Sequence, residues 1–496
     1  MTDNDYQVLF ACSEFAPLVK TGGLADVCAS LPKALRNTGT NVRVVLPGYK
    51  TVLEQLSDVA LVGTIDVPLG PVAIGKTQHD GIELYLVCHP VFSNRAGNPY
   101  MSDDDRGWSD NPLRFALFSQ AVIELATKRD HLGVAIDVVH CHDWQTGLVP
   151  ALLALHNPRP ATIFTIHNLA YQGNIMFNHY EELGLPGALF HANGIEFWGQ
   201  ASYIKGGIAY ADRVNTVSPT YAREIQTELF GNGLDGLLRS RSSRVSGILN
   251  GIDEDAWNPA TDPHLAGNFS SSDIQHKKPN KSALQKRMKL PENPDIPLFG
   301  VISRLAGQKG IDLLIDALDR ETSMDYQLVV LGSGETELQN RLHRLQQQHP
   351  QSVAVSIGFD ESLSRLIEAG SDVFVMPSRY EPCGLNQMYS LRYGTLPLVT
   401  PVGGLADTVI SYTDNAQQAN GFVIADATVV SLLHGIHKAL QVYQDKKLWQ
   451  QLQHNGMTTS FSWENSALLY QQLYKTAIGD AAIANEQIKS ARLSAG

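Results

Sequence analysis

Two copies of one pentapeptide, Gly-Gly-Leu-Ala-Asp, stand at Gly22 to Asp26 and at Gly403 to Asp407, each leading into an apolar run. Paired glycines let backbone N–H groups approach a ligand closely, and the start of a helix adds partial positive charge, so each copy reads as an anion cradle. Lys20 precedes the first pair and can meet a phosphate as a point charge. Arg304 and Lys309, five residues apart in Ser303-Arg-Leu-Ala-Gly-Gln-Lys-Gly310, can converge on one pyrophosphate, the Arg through two parallel hydrogen bonds. Glu381, in Glu-Pro-Cys-Gly-Leu385, offers a carboxylate for sugar hydroxyls or for positive charge developing at an anomeric carbon, and would equally serve as a helix-capping acid. Cys383 in the same stretch has no evident base partner, which disfavours a cysteine nucleophile.

Histidines add a second kind of chemistry. In His140-Cys-His-Asp-Trp144, strand alternation puts His140 and His142 on one face, yet further metal ligands are lacking nearby. The better reading is a set of polar cleft-lining residues, with Asp143 near a helix N-cap. His167, in Thr165-Ile-His-Asn168, suits a hydrogen bond to a substrate hydroxyl or carbonyl as well as a structural role. Asp103-Asp-Asp105 has the composition of a divalent-cation motif, but its Ser, Arg, Gly and Asn neighbours make it a solvated loop.

These residues need elements to hold them, and apolar patterning supplies the elements. Short β-rich runs alternate with amphipathic stretches: Val8 to Cys12, a helix from Leu24, Val42 to Leu46, Leu84 to Cys88, a helix around Phe115 to Ala126, Val138 to Cys141, and Thr162 to Ile166. That alternation is the mark of a doubly wound α/β domain. Leu24, Val27, Leu31 and Leu35 keep helical spacing, with Pro32 predicting a kink or an early break. A second series follows a Pro-, Asn- and Lys-rich stretch: Leu298 to Ile302, helix Ile311 to Leu318, Gln327 to Leu331, Val353 to Ile357, Val373 to Met376, and Leu398 to Thr400. The domain change falls at about residues 245 to 260. Most of the reactive residues lie beyond the carboxyl ends of these strands, where such sheets bind ligands.

Composition narrows the class. A chain of 496 residues exceeds the roughly 250–300 at which one core stops growing, so two domains are expected. Its 38 Lys and Arg against 50 Asp and Glu argue against nucleic-acid or anionic-membrane partners, and no run approaches the ~20 apolar residues of a membrane span. Five scattered cysteines without a Cys-x-x-Cys pair indicate neither a disulfide framework nor a thiolate zinc site, and fit a reducing cytoplasm.

In chain order, Lys20-Thr-Gly-Gly-Leu-Ala-Asp26, His142-Asp-Trp144, His167-Asn-Leu-Ala-Tyr-Gln172, Val217-Ser-Pro-Thr-Tyr221, Leu249-Asn-Gly-Ile-Asp253, Arg304 with Lys309, Glu381-Pro-Cys-Gly384 and Gly403-Gly-Leu-Ala-Asp-Thr408 closely resemble bacterial glycogen synthases and plant starch synthases. The match runs from about Val8 to Tyr474. It implies an α/β GT-B fold of two Rossmann-like domains facing an interdomain cleft, at residues 1–250 and 251–462. A C-terminal helix at about 463–478 would complete the first domain, with 479–496 a flexible tail. The implied reaction moves glucose from ADP-glucose to the non-reducing end of an α-1,4-glucan with retention, using no metal or other cofactor.

By the same resemblance Lys20, Arg304 and Lys309 would hold the donor phosphates, while His167 and Glu381 would contact the glucose. Asp143 would sit near the reacting centre, Asn250, Cys383, Gly384 and Leu405 would line the cleft, and the N–H groups of Gly22, Gly23, Gly403 and Gly404 would face phosphate or sugar. Asp26 belongs to the implied site without a fixed role. One stretch departs from the usual pattern, with Pro401 and Val402 where relatives offer polar groups before Gly403; Tyr389 stands where many related transferases carry a second Glu, as in glycogen and starch synthases. The alternatives are a UDP-glucose-dependent transferase of the same fold, a pyridoxal-phosphate phosphorylase, or a glucan-binding protein without catalysis.

Overall fold

Runs of four or five apolar residues can be buried only where both faces of a sheet are covered, as in parallel strands flanked by helices. The computed structural model describes residues 6–95, 97–102, 106–321, 324–413 and 417–495; the acidic run Asp103, Asp104 and Asp105 lies outside the described residues. In strand Gln7–Ala11 every residue from Val8 onward is fully buried, and in Leu298–Ile302 only Ile302 is partly exposed. Each strand belongs to one of two compact units: Met1–Gly251 with Trp463–Gly496, and Ile252–Ser462.

Among the described residues the first unit holds a nine-stranded sheet. Its spatial order is Val245–Gly247, Arg213–Thr216, Ala161–Ile166, Val138–His142, Gln7–Ala11, Asn41–Pro47, Ile82–Cys88, Gly70–His79 and Ala60–Val67. The first seven run parallel and the last two are antiparallel. That final hairpin was not evident as apolar runs, because Ala60–Val67 is largely solvent-facing and Gly70–His79 mixes Gly, Lys and Gln into its pattern. A separate antiparallel sheet joins Asn174–Met176, Gln200–Ser202 and Glu196–Phe197. The second unit carries six parallel strands in the order Val353–Ile357, Gln327–Gly332, Leu298–Ile302, Val373–Met376, Leu396–Val399 and Phe422–Val423.

Two local expectations change. Helix Gly23–Asn37 runs unbroken through Pro32, whose ring is buried with Leu31 and Leu35 in the core, so packing outweighs the lost backbone bond. The C-terminal helix does not stop near 478: Trp463–Ala495 is one helix, and the segment read as a flexible tail forms its later turns. Its Ala-, Glu-, Gln- and Lys-rich sequence favours helix, and tertiary ties extend past 478. Asp480 accepts from Arg213 Nε at 2.6 Å, Asn485 exchanges hydrogen bonds with the Arg159 main chain, and Ala481 is buried.

This helix reaches the parallel strands through hydroxyl groups. Tyr474 OH lies 2.9 Å from His140 Nδ1, and Tyr470 OH accepts from Asn215 Nδ2 at 3.0 Å, all within the buried interior. Deleting one such hydroxyl leaves a buried partner unsatisfied. Tyr474→Phe is therefore expected to destabilise the first unit by about 1–3 kcal/mol, read as an earlier urea transition by circular dichroism; an unchanged transition would show that His140 finds another partner.

Candidate active site

Beyond strand Gln7–Ala11 the chain turns at Glu14, which is buried and collects four hydrogen bonds. Thr21 N–H and Thr21 Oγ1 each donate to it at 2.6 Å, Tyr100 OH at 2.9 Å and Gly22 N–H at 3.3 Å. Burial raises the Glu14 carboxyl above its ordinary range, and these donors pull it partly back. Of the first glycine pair, the Gly22 amide is thus engaged by a carboxylate of its own unit. Lys20, half exposed, pairs with Asp26 at 2.7 Å in the first turn of helix Gly23–Asn37. Gly22 itself has extended backbone, and a Cβ there would meet nothing within 4 Å.

Next to this turn, Val138–His142 and Ala161–Ile166 run side by side, with His142 opposite Thr165. Asp143 follows with φ 56° and ψ −177°, a backbone region almost confined to glycine. Its N–H donates to Thr165 O at 3.0 Å, while its Oδ1 accepts from His167 N–H at 2.7 Å and Asn168 N–H at 3.4 Å. The strained residue therefore clamps the turn that carries His167. Burial pushes the Asp143 carboxyl up to about 7 and the His167 imidazole down to about 3, so His167 is neutral at physiological pH.

His167 Nε2 lies 2.9 Å from His142 Nδ1, and the His142 ring packs on His140 with centroids 4.1 Å apart. His140 is engaged at both nitrogens, by Tyr474 OH and by Thr165 Oγ1 at 2.7 Å. The His140 and His142 pair is thus part of a buried column, joined by ring packing between the two and by a hydrogen bond between His142 and His167, that backs His167. Among the described residues no three His, Cys, Asp or Glu side chains are grouped to hold a metal ion. Asn250 is also buried, and its Oδ1 has no hydrogen-bond partner.

In the second unit, Leu298–Ile302 ends in the loop that carries Arg304 and Lys309, and Val373–Met376 ends in the turn that carries Glu381. The structure brings two of these residues into contact: Lys309 Nζ lies 2.5 Å from Glu381 Oε2, which also accepts from Ser378 Oγ at 3.2 Å. Arg379 fastens the two loops together, with bidentate bonds of 2.8 and 2.6 Å to Asp312 and a further bond to Gly307 O. Gly310 closes the loop in left-handed conformation, φ 68°, where a Cβ would lie 2.1 Å from Pro377 O. Arg304 is exposed and donates to Gln308 at 3.3 Å.

The second glycine pair opens helix Gly403–Thr408 and lies directly on the Glu381 turn. Gly404 N–H donates to Glu381 O and Pro382 O, each at 3.2 Å. A Cβ on Gly403 would lie 1.9 Å from Glu381 O, and one on Gly404 would lie 2.1 Å from Cys383 O. This cradle, too, holds the protein's own glutamate, here by its main chain. The Leu405 side chain is fully buried in the core, and its N–H bonds Val402 O at 3.1 Å. Cys383 is buried, and Gly384 takes φ 72°.

Thr400, which precedes Pro401, and Tyr389 have structural uses. Thr400 donates from Oγ1 to Ser378 O at 2.6 Å, bracing the residue that holds Glu381. Tyr389 stacks flat on Trp257, centroids 3.6 Å apart, with the Arg365 guanidinium on the same indole. Glu14 and Ser378 are the site-building residues that sequence reasoning missed. A carboxylate at the end of the first strand, eight residues before a glycine, was the available signal for Glu14; nothing in sequence singled out Ser378.

A family model described as the starch synthase catalytic domain matches residues 7–240, and one described as glycosyl transferases group 1 matches residues 283–457. The chain is 50% identical over 475 residues to the glycogen synthase of Cellvibrio japonicus, covering 95% of this chain and 99% of that one. It belongs to the glycogen synthase family. Glycogen synthase 1 of Methylococcus capsulatus is 47% identical over 95% of this chain and 97% of its own. Among solved structures, the catalytic domain of starch synthase IV from Arabidopsis thaliana, bound to ADP and acarbose, matches with a TM-score of 0.85 at 34% identity, covering 96% of this chain and 99% of that one. A sucrose-phosphate synthase from Thermosynechococcus elongatus, at 17% identity and TM-score 0.60, shares the fold. The chain is accordingly a glycosyltransferase of GT-B type.

Two tests follow from the geometry of this family member. Gly404→Ala must push its new methyl group into the Cys383 carbonyl and is expected to lower stability by about 1–3 kcal/mol or more, whereas Gly22→Ala should melt like the parent. Equal thermal midpoints for the two variants would contradict the steric argument. Asp143 gives a pH test. Its folded pKa is raised from 3.8 to about 7, so its contribution to stability is fully present below about 4 and is lost as pH rises through 7. Asp143→Asn, which keeps an oxygen for the two N–H donors, should gain stability relative to the parent between pH 4 and 8; thermal melts with a pH-independent difference would refute this.

Proposed function

We propose that the chain transfers glucose from ADP-glucose to the non-reducing end of an α-1,4-glucan, with retention of configuration and without a metal or other cofactor, in the cytoplasm. The observation that carries this reading is the Lys309–Glu381 contact braced by Ser378, with Arg304 on the same loop. In the resting site the Lys309 charge is compensated by Glu381. A donor diphosphate draws on Lys309 and Arg304, and the cost of re-pairing is met as negative charge grows on the departing diphosphate. Both resolved bonds to Glu381 land on Oε2, so Oε1 serves a glucose hydroxyl or the positive charge of the sugar ring. A charged hydrogen bond contributes about 1.5–3 kcal/mol, so two or three of them supply several powers of ten in rate.

The first unit contributes neutral polar groups. His167, uncharged and oriented by Asp143 and His142, suits a sugar hydroxyl, and Lys20 gives a further cation once released from Asp26. Retention without a carboxylate nucleophile calls for front-face attack by the acceptor hydroxyl, with the leaving phosphate taking its proton. The relatives' names and the ADP and acarbose bound to starch synthase IV support the donor and acceptor classes. Among the described residues no disulfide joins the cysteines, in keeping with a reducing compartment, and no helix is long and apolar enough to cross a membrane.

Radiolabelled glucose should enter glycogen from ADP-glucose and much more slowly from UDP-glucose; the reverse preference would assign the UDP-glucose-dependent alternative. Binding of glycogen with no incorporation from either donor would leave a glucan-binding protein. Glu381→Gln should lower kcat by at least about 10²-fold with an unchanged thermal midpoint, and turnover within twofold of the parent would remove Glu381 from the chemistry.

A further inference from the structure

Trp198 occupies a position that turn chemistry reserves for small polar residues. The hairpin between Glu196–Phe197 and Gln200–Ser202 is closed by Trp198 and Gly199, with φ of 53° and 79°. Two successive positive φ values are the combination of a type I′ turn, whose first residue is normally Asn, Asp or Gly. A tryptophan is disfavoured there twice: its Cβ crowds the left-handed backbone, and the residue is 85% exposed, so folding removes little of it from water. The turn is nevertheless well held, by Gly199 N–H donating to Glu196 Oε1 at 2.8 Å and by Gly233, φ 80°, lying against Phe197. A local rule broken with no return in folding points to a use in binding.

The surroundings identify the ligand chemistry. Gln200 pairs with both Met176 and Phe197 across the small sheet, and Asn174 pairs with Ser202, so these side chains share the face opposite buried Ile175 and Ala201. Asn174 Nδ2 donates to Gln172 Oε1 at 3.0 Å, and Gln172 Nε2 donates to Asn232 O at 2.9 Å, giving a chain of amides along the same segment. The segment is covalently continuous with the site: His167 is followed four residues later by Tyr171, 53% exposed, and then by Gln172. Amides and exposed aromatic faces without Lys or Arg suit a polyhydroxylated ligand with apolar C–H faces. Nucleic acid would require cations to meet its phosphates.

We propose that Tyr171, Gln172, Asn174, Gln200 and Trp198 form a binding strip for an α-glucan chain on the first unit, with the Trp198 indole as its stacking platform. The strip rests on the proposed glucan acceptor. It acts by a second contact that raises the effective concentration of polymer chain ends and leaves the transfer step itself untouched.

Trp198→Ala and Trp198→Phe test it in the full-length protein, by migration in native gels containing glycogen and by initial rates with glycogen and with a short maltooligosaccharide. Trp198→Ala should lose most of its retardation in glycogen gels and raise KM for glycogen roughly three- to tenfold, with kcat and rates on the short acceptor unchanged; Trp198→Phe should recover most of the difference. Parental retardation and KM in Trp198→Ala would overturn the strip. A fall in kcat on both acceptors, or equal losses in the Ala and Phe variants, would do so too, by showing a structural role. If the parent transfers no glucose to any glucan, the proposed function fails, while gel retardation alone still decides the strip.

Discussion

Nothing larger than a hydrogen atom fits between the main chain at Gly403-Gly404 and the main chain from Glu381 to Cys383. That clearance governs the second unit's site. It lets Gly404 N–H grip the Glu381 carbonyl, which fixes where the Glu381 side chain meets Lys309 and Ser378. The loop carrying Lys309 is in turn bound to the next residue but one before Glu381, through Arg379 on Asp312 and Gly307. The same pentapeptide near the N-terminus solves a different problem. There a Cβ on Gly22 would meet nothing within 4 Å, and the turn amides of Thr21 and Gly22 grip the carboxylate of Glu14. In both copies one glycine amide holds a glutamate of its own unit, Gly22 on the Glu14 carboxylate and Gly404 on the Glu381 carbonyl.

Electrostatics divide along the same line. In the first unit burial drives Asp143 and His167 toward their uncharged forms, and the histidine column behind them is held by hydroxyls. In the second unit opposite charges are kept in contact, Lys309 on the buried carboxylate of Glu381. The strain at Asp143 belongs to this division, because its unusual backbone is what turns the carboxylate toward the His167 amide.

Much of this was legible in the residues, and the limits have physical causes. Strands buried on both faces announce themselves as apolar runs: Leu298–Ile302 and Val373–Met376 coincide with the patterning, whereas the half-exposed Ala60–Val67 and the short strands around Trp198 do not. Motif spacing related Lys309 to Arg304 and left Glu381 to a separate motif, and the contact between Lys309 and Glu381 is a fact of the fold. The occupants of the glycine amides could not be read, because which partner fills a backbone donor is a tertiary fact. Leu405 was drawn into the site by its place in a motif, although its apolar side chain belongs to the core. The helical end of the chain was legible in composition and was overlooked because the motifs stop near Tyr474.

The helix Trp463–Ala495 packs in the unit that begins the chain, so that unit is interrupted by the whole of Ile252–Ser462. On a ribosome adding about 5–20 residues per second, the parallel strands wait on the order of ten to forty seconds for the tyrosines that satisfy His140 and Asn215. The half of the protein translated second is the half that can be completed first. The earlier half must persist through that interval with polar groups unmet, a period in which protection by other factors has the most to act on.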